Sequence, residues 1–237
     1  MKKLIIDQGN TFTKVALFEE GRLLKQGVLR VTQGVSEWVN QSADIILSSV
    51  GKDEELQSLL VGHNVLTLDA ETAVPIENKY QSKKTLGNDR LAGVIAATLQ
   101  FPEHHVLVID AGTCITFDLI NDKKEYLGGS IAPGLQMRLK ALNNQTARLP
   151  LVELQNTTKL VGDDTDSSIL SGVVNGTLAE IDGLISRYKE QYPNLQIIMT
   201  GGDANFFDKG LKNSIFADLN LVLKGLNEIL RYNEANI

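Results

Sequence analysis

Two stretches of this chain put acidic, glycine and hydroxyl residues together where an apolar run ends. The first reads Ile5-Ile6-Asp7-Gln8-Gly9-Asn10-Thr11-Phe12-Thr13-Lys14-Val15, the second Val108-Ile109-Asp110-Ala111-Gly112-Thr113-Cys114-Ile115-Thr116. In each, a strand closes at Asp, and glycine carries the backbone through a turn that a Cβ would resist. Consecutive backbone N–H groups at such a turn face an anion, and the Asp can hold a hydrated cation beside it. The chemistry this serves is a grip on a metal–polyphosphate. One Asp-x-Gly hairpin alone is an ordinary turn; two of one design point to a duplicated domain.

The elements that must position these residues follow from periodicity. Residues 4–7, 13–18 and 22–28 read as an antiparallel meander, with Glu19-Glu20-Gly21 as its second turn. A short helix over 34–41, a buried strand over 45–50, a helix over 53–61 and a strand over 64–68 follow. Residues 72–86 lose apolar density and read as a loop. Gly87-Asn88-Asp89-Arg90 then opens a strongly apolar helix over 91–100, with Asn88 or Asp89 as the expected N-cap.

The second half repeats the opening, with strands at 106–110, 114–120 and 126–132 and a helix at 135–142. Residues 149–153 read as extended and 169–188 as a long helix with Thr165 at its start. Gly172 and Gly176 lie one turn apart on that helix, which predicts close packing against it. A strand over 196–200 runs into Gly201-Gly202-Asp203-Ala204, and an amphipathic helix covers 221–232. The expected fold is α/β: two similar domains, 1–105 and 106–237, each a mixed sheet flanked by helices, with the ligand in a cleft between them.

Composition narrows the function. The chain has 237 residues, 43% of them apolar, and a net charge of −6. That charge supplies no basic field for nucleic acid or an anionic membrane. The single cysteine, Cys114, allows neither an intrachain disulfide nor a thiolate metal cluster, and a reducing cytosol fits. The apolar run after Met1-Lys2-Lys3 stops at Asp7, short of a signal sequence, and no stretch approaches the roughly 20 apolar residues of a membrane span. His63, His104 and His105 lack metal-ligand spacing.

The two hairpins and Thr200-Gly201-Gly202-Asp203-Ala204 resemble the phosphate-1, phosphate-2 and adenosine motifs of the acetate and sugar kinase/Hsp70/actin superfamily. Within it, Asp7-Gln8-Gly9-Asn10-Thr11 with Lys14, and Gly87-Asn88-Asp89-Arg90, resemble the type III pantothenate kinases. The resemblance implies two actin-like (ribonuclease H-like) domains and ATP-dependent phosphorylation of the pantothenate hydroxyl to 4′-phosphopantothenate, the first step of coenzyme A biosynthesis. It also implies Mg2+, a monovalent cation (K+ or NH4+), a cytoplasmic location and a homodimer.

Residue by residue, the resemblance places Asp7, Gln8, Gly9, Asn10, Thr11, Phe12, Thr13 and Lys14 on ATP, with Thr113, Gly201 and Gly202. Tyr80, Gly87, Asn88, Asp89, Arg90 and Thr165 fall to pantothenate, with Asp89 as proton acceptor and Arg90 able to bind the carboxylate bidentately. Asp110 falls to the monovalent cation. Two departures stand out: Cys114 replaces a usual Ala, and Lys83 stands where the family often has Pro.

Phosphoryl transfer through a loose transition state asks for alignment and charge neutralisation more than for a strong base. Two alternatives share the nucleotide motifs: a non-catalytic nucleotide-binding regulator, and another small-molecule kinase of the superfamily. The intact Asp7, Asp89, Arg90 and Asp110 argue against the regulator. Substrate loops and size argue against the other kinase. Apolar surface on the 91–100 and 169–188 helices is expected to meet in a dimer, near the active site.

Overall fold

The computed structural model describes residues 1–9, 12–30, 32–42, 44–49, 51, 53–155 and 158–234. By its contacts the chain divides into two units. The first comprises residues 1–102, 124–127 and 220–237.

In the first unit the meander forms as β1 (Lys2–Gln8), β2 (Thr13–Glu19) and β3 (Arg22–Leu29). Glu20 and Gly21, at φ 51° and 79°, make the left-handed turn between β2 and β3. A one-turn helix α1 (Ser36–Val39), β4 (Asp44–Ser49), α2 (Glu54–Leu59) and β5 (Asn64–Thr67) follow, and the sheet order is β3-β2-β1-β4-β5. β4 runs parallel to β1, which sets Ser48 beside Asp7 and Ser49 beside Gln8. On the other side the antiparallel pairing sets Asp7 opposite Lys14.

Alternation along β1 sorts its side chains onto two faces. Ile5 joins Ala16, Phe18 and Ile46 under α3 (Asn88–Gln100) and α7 (Leu221–Glu234), whereas Leu4 and Ile6 pack with Trp38, Val39 and Leu56. The helix α7, which chain order places in the second half, therefore groups with the first unit.

The N-cap of α3 is Gly87, in an extended conformation, and neither Asn88 nor Asp89 takes that position. Asp89 lies inside the first turn, where Oδ1 accepts from the N–H of Arg90 at 2.8 Å. A Cβ on residue 87 would stand 2.4 Å from that oxygen, so glycine leaves the room the carboxylate occupies. The loop over 72–86 contains a two-residue strand β6 (Glu77–Asn78), too short for any periodicity to reveal. It pairs with the start of β9 (Glu125–Pro133), Asn78 beside Tyr126.

The second unit, residues 103–123 and 128–219, repeats the design. It contains β7 (Val106–Ala111), β8 (Cys114–Ile120), the rest of β9, α4 (Leu135–Asn144), α5 (Thr165–Gln191), β10 (Gln196–Thr200), α6 (Ala204–Asp208) and β11 (Phe216–Ala217), in sheet order β11-β10-β7-β8-β9. β10 lies parallel to β7 as β4 lies parallel to β1. Ile169, Val173, Ile181 and Ile185 of α5 cover Leu107, Ile109, Phe117 and Leu119.

Asp164 caps α5: its Oδ1 accepts from the Ser167 N–H at 2.7 Å while Ser167 Oγ accepts from the Asp164 N–H at 3.1 Å. The helix therefore starts earlier than the apolar pattern indicates, because its first turn is polar, and Thr165 is its first residue. At Gly172 and Gly176 a Cβ would meet nothing within 4 Å among the described residues, so the close packing expected there is not found within the chain. No helix among the described residues is long and apolar enough to cross a membrane.

Candidate active site

In the first unit the ends of β1 and β4, the start of α3 and the loop over 69–86 enclose a cavity of about 780 Å³. Asp7, Gln8, Gly9, Ser48, Gly87, Asn88 and Asp89 all line it. Residues from the first hairpin and from the Gly-Asn-Asp-Arg motif thus come together, although nearly eighty positions of sequence separate them.

Asp7 is held by the Ser48 hydroxyl, which donates to Oδ1 at 3.1 Å. Its residue retains some exposed surface, yet protein surrounds the carboxyl closely, and burial pushes its pKa up. Lys14 and the Ser48 hydrogen bond pull it back down, and the charge of Asp89 adds to the rise. Two carboxylates that sense each other across a cavity repel a bare polyphosphate and favour one accompanied by cations.

The Gly9 N–H donates to the Phe12 carbonyl at 3.1 Å and closes the hairpin. Asn10 and Thr11, expected on ATP, lie outside the described residues. Thr13 is buried, and Phe12 is exposed with the Arg30 guanidinium 5.7 Å from its ring. Gln8 differs from its neighbours, because both ends of its side-chain amide are engaged by protein: Nε2 donates to Asp53 Oδ2 at 2.6 Å and Oε1 accepts from Ser49 Oγ at 2.7 Å.

Arg90 and Tyr80 do not line the cavity. Arg90 is buried, its guanidinium 5.5 Å from the Tyr80 ring, and Tyr80 in turn stacks at 5.9 Å on the fully buried Tyr126. The Asn88 side chain donates to the Leu68 carbonyl at 3.3 Å and ties α3 to the end of β5.

The second unit assembles its own cluster. Thr200 stands beside Asp110 in the β10–β7 pairing, and Gly201 follows at φ 96°. A Cβ there would lie 2.3 Å from the Ala111 carbonyl and 2.4 Å from Asp110 Oδ1, so only glycine lets the turn sit against that carboxylate. The Gly134 N–H, just before α4, donates to the Thr113 carbonyl at 3.1 Å. Asp110, Thr113 and Gly201 are thereby gathered at one end of the sheet, with Gly202 next in the turn and open to solvent. Thr165 is elsewhere: it lines a separate cavity with Asp164, Ser168 and Gly172.

Among the described residues no group of three or more His, Cys, Asp or Glu could hold a metal. This donor set fits a divalent ion carried mainly by phosphates and water with one carboxylate, Asp7, and does not fit a protein cage.

The profile of the type III pantothenate kinases matches residues 3–187. The chain belongs to that family. The type III pantothenate kinase of Christiangramia forsetii is 46% identical over 239 residues, covering 98% of each chain. A protein of Campylobacter jejuni described as a Baf family transcriptional activator aligns with a TM-score of 0.65 and 23% identity, over 98% of this chain and 99% of that one. The ROK hexokinase of Thermus thermophilus aligns at 0.53 with 13% identity, over 99% and 100%. These two likenesses concern the fold, which is that of the actin-like ATPases and sugar kinases.

In this kinase, Ser48, Ser49 and Asp53 touch the nucleotide-motif residues although no motif marks them. Their one signal is position: they lie at or just past the end of a strand that runs parallel to β1.

Proposed function

We propose that this kinase transfers the γ-phosphoryl group of ATP to the primary hydroxyl of pantothenate, giving 4′-phosphopantothenate at the start of coenzyme A biosynthesis, in the cytoplasm. The observation that carries the reading is the single cavity on which the Asp7–Gly9 strand end and the Asp89 carboxylate converge. Asp89 accepts the hydroxyl proton as the bond to phosphorus forms. Gly87 keeps its carboxylate folded toward the start of α3. Arg90, which lies behind that cavity against Tyr80, would reach the pantothenate carboxylate only by turning its guanidinium outward, and Asn88 fixes the start of α3.

On the nucleotide side, Lys14, Asn10, Thr11 and Thr13 take the phosphates. Thr113, Gly201 and Gly202 take the rest of ATP. Asp7 would hold Mg2+, which would supply neutralisation of the phosphate charge. Asp110, pinned by Gly201, is the carboxylate for K+ or NH4+. A homodimer is supported by the open face at Gly172 and Gly176, and Thr165 stands close to it on the same helix.

The test is formation of 4′-phosphopantothenate from ATP and pantothenate in Mg2+ and K+, read by mass spectrometry. Product from the parent and a loss of about 10²-fold or more in Asp89→Asn is the expected outcome. No product from a folded parent overturns the reading, and equal rates in Na+-only buffer remove the monovalent site. Light scattering checks the assembly: a monomer at micromolar concentration refutes the dimer.

A further inference from the structure

We infer that Asp53 and Ser49 are positioning residues for the nucleotide-gripping hairpin, acting through the side chain of Gln8. The inference rests on the phosphotransfer reading above, since it assigns those residues to the first hairpin of that site.

Gln8 lies between Asp7, whose carboxylate accepts from Ser48, and Gly9, whose N–H closes the hairpin on Phe12. It is the last residue of β1. Its amide spans three elements. Nε2 donates at 2.6 Å to Oδ2 of Asp53, the N-cap of α2, and Oε1 lies 2.7 Å from Oγ of Ser49, the last residue of β4. A carboxylate only accepts, so Asp53 fixes which end of the amide points to α2 and turns Oε1 toward the serine hydroxyl, which the Gly51 carbonyl, 2.6 Å from the same Oγ, shares.

Asp53 divides its two oxygens between two tasks. Oδ1 accepts from the Leu56 N–H at 3.0 Å and caps α2, while Oδ2 holds Gln8. The tasks can therefore be separated. An Asn at position 53 retains an oxygen for the cap, because Asn caps helices as well as Asp does. Its amide nitrogen then faces Gln8, which can meet it by turning end for end, Oε1 toward position 53 and Nε2 toward the Ser49 oxygen. A cap alone needs only the first oxygen; the second serves the hairpin.

With both amide ends held, the last residue of β1 has one rotamer, and the backbone after it enters the turn in one direction. Donors aimed at a polyphosphate act only when placed within a fraction of an ångström of their acceptors. A Gln8 side chain free to swing removes that constraint without removing any group that touches ATP.

The experiment uses the full-length enzyme and three variants: Asp53→Asn, Gln8→Glu, and the two combined. Gln8→Glu sets carboxylate against carboxylate and breaks complementarity, whereas Asp53→Asn keeps it once the Gln8 amide turns end for end and so serves as the control for loss of the Asp53 charge. The double variant restores it with polarity reversed: the new amide donates to the new carboxylate, which still accepts from Ser49.

Equilibrium binding of a fluorescent ATP analogue in Mg2+, without pantothenate, is the primary readout, followed by KM for ATP and KM for pantothenate. The expected result is a loss of about tenfold in nucleotide affinity for Gln8→Glu, with Asp53→Asn close to the parent, KM for pantothenate unmoved, and recovery of most of the Gln8→Glu loss in the double variant. Nucleotide affinity equal to the parent's in Gln8→Glu, or weakening that the double variant fails to recover, overturns the inference. Should Gln8→Glu not fold, Ser49→Ala decides: weaker nucleotide binding at an unchanged pantothenate KM upholds the relay, and unchanged binding refutes it. Since binding is measured without phosphotransfer, a parent that binds nucleotide but makes no 4′-phosphopantothenate overturns the functional reading alone.

Discussion

The Asp7 carboxylate is kept ionisable in surroundings that disfavour its charge. Burial, the largest influence on it, raises its pKa despite Lys14 and Ser48. An acid whose pKa is higher in the folded chain than in the unfolded one binds its proton more tightly when folded, so folding stability falls as pH rises through that interval. Replacing the carboxylate by an amide of the same shape removes this penalty. We expect Asp7→Asn to melt at the same temperature as the parent below the ordinary aspartate pKa. As pH rises above it the variant should melt progressively higher, by about 2–4 °C for each 1 kcal/mol relieved in a chain of this size. Phosphotransfer should be lost in the same variant, and melting curves across pH beside activity at neutral pH check both halves. A variant that melts lower at every pH would show that the Ser48 and Lys14 contacts outweigh burial.

How much of the site was legible at this scale divides along a physical line. Asp7, Gly9, Gly87 and Asp89 are visible in the sequence because their residue types are unusual where an apolar run stops. Ser48, Ser49 and Asp53 are not, because strand pairing brings them to β1 from some forty positions away and nothing local predicts which strands pair. The N-cap of α3 differs from the sequence expectation for a related reason. Asn and Asp are ordinary caps, but here Asp89 needs the space that a side chain on residue 87 would fill.

At the scale of elements, what fixes Asp89 is the pair α3 and α7. They cross so closely that a Cβ on Gly225 would stand 1.8 Å from the carbonyl oxygen of Ala92 and 2.5 Å from its carbon. Those are backbone atoms, so no rotamer change relieves the clash, and the helices must separate. Overpacking of this kind costs about 1–3 kcal/mol. Gly225→Ala should therefore lower the melting temperature by several degrees, against the usual stabilising effect of Ala in a helix. Because α3 begins at Asn88 and carries Asp89 and Arg90 in its first turn, the shift should raise KM for pantothenate as well. A melting temperature at or above the parent's would show that the helices absorb the methyl group without moving. Both helices were legible as elements from their periodicity. Their contact was not, since a glycine in a helix announces close packing without naming the partner, and Gly172 and Gly176 on α5 face open space.

Taken as a whole molecule, the chain completes its first unit with its last helix. Residues 220–237 group with 1–102, and α7 buries Val222, Leu223, Leu226, Ile229 and Leu230 against Ile5, Phe18, Ile46 and Ile95. Asn233 Nδ2 donates to the Ala73 carbonyl at 2.9 Å, and Lys3 pairs with Glu234. Fully burying a large aliphatic side chain is worth about 1.5–3 kcal/mol, so these five together contribute on the order of 10 kcal/mol. That equals the entire stability of a typical domain, about 5–15 kcal/mol. The family profile ends at residue 187 and gives no sign of this dependence. A chain shortened to residues 1–219 keeps every residue assigned to catalysis and to the nucleotide. It should nonetheless lack a folded first unit, since α3 would lose the surface it packs on and the apolar side of β1 would lie open. The expected behaviour is insolubility, or a soluble form with no cooperative melt and no affinity for the ATP analogue. Adding a peptide of residues 220–237 to the shortened chain should restore part of both, because the missing contacts need only proximity. A cooperative melt from the shortened chain alone would show that β1, β2, β4 and α3 hold without their covering helix, and that the returning tail is an ornament on an already closed core.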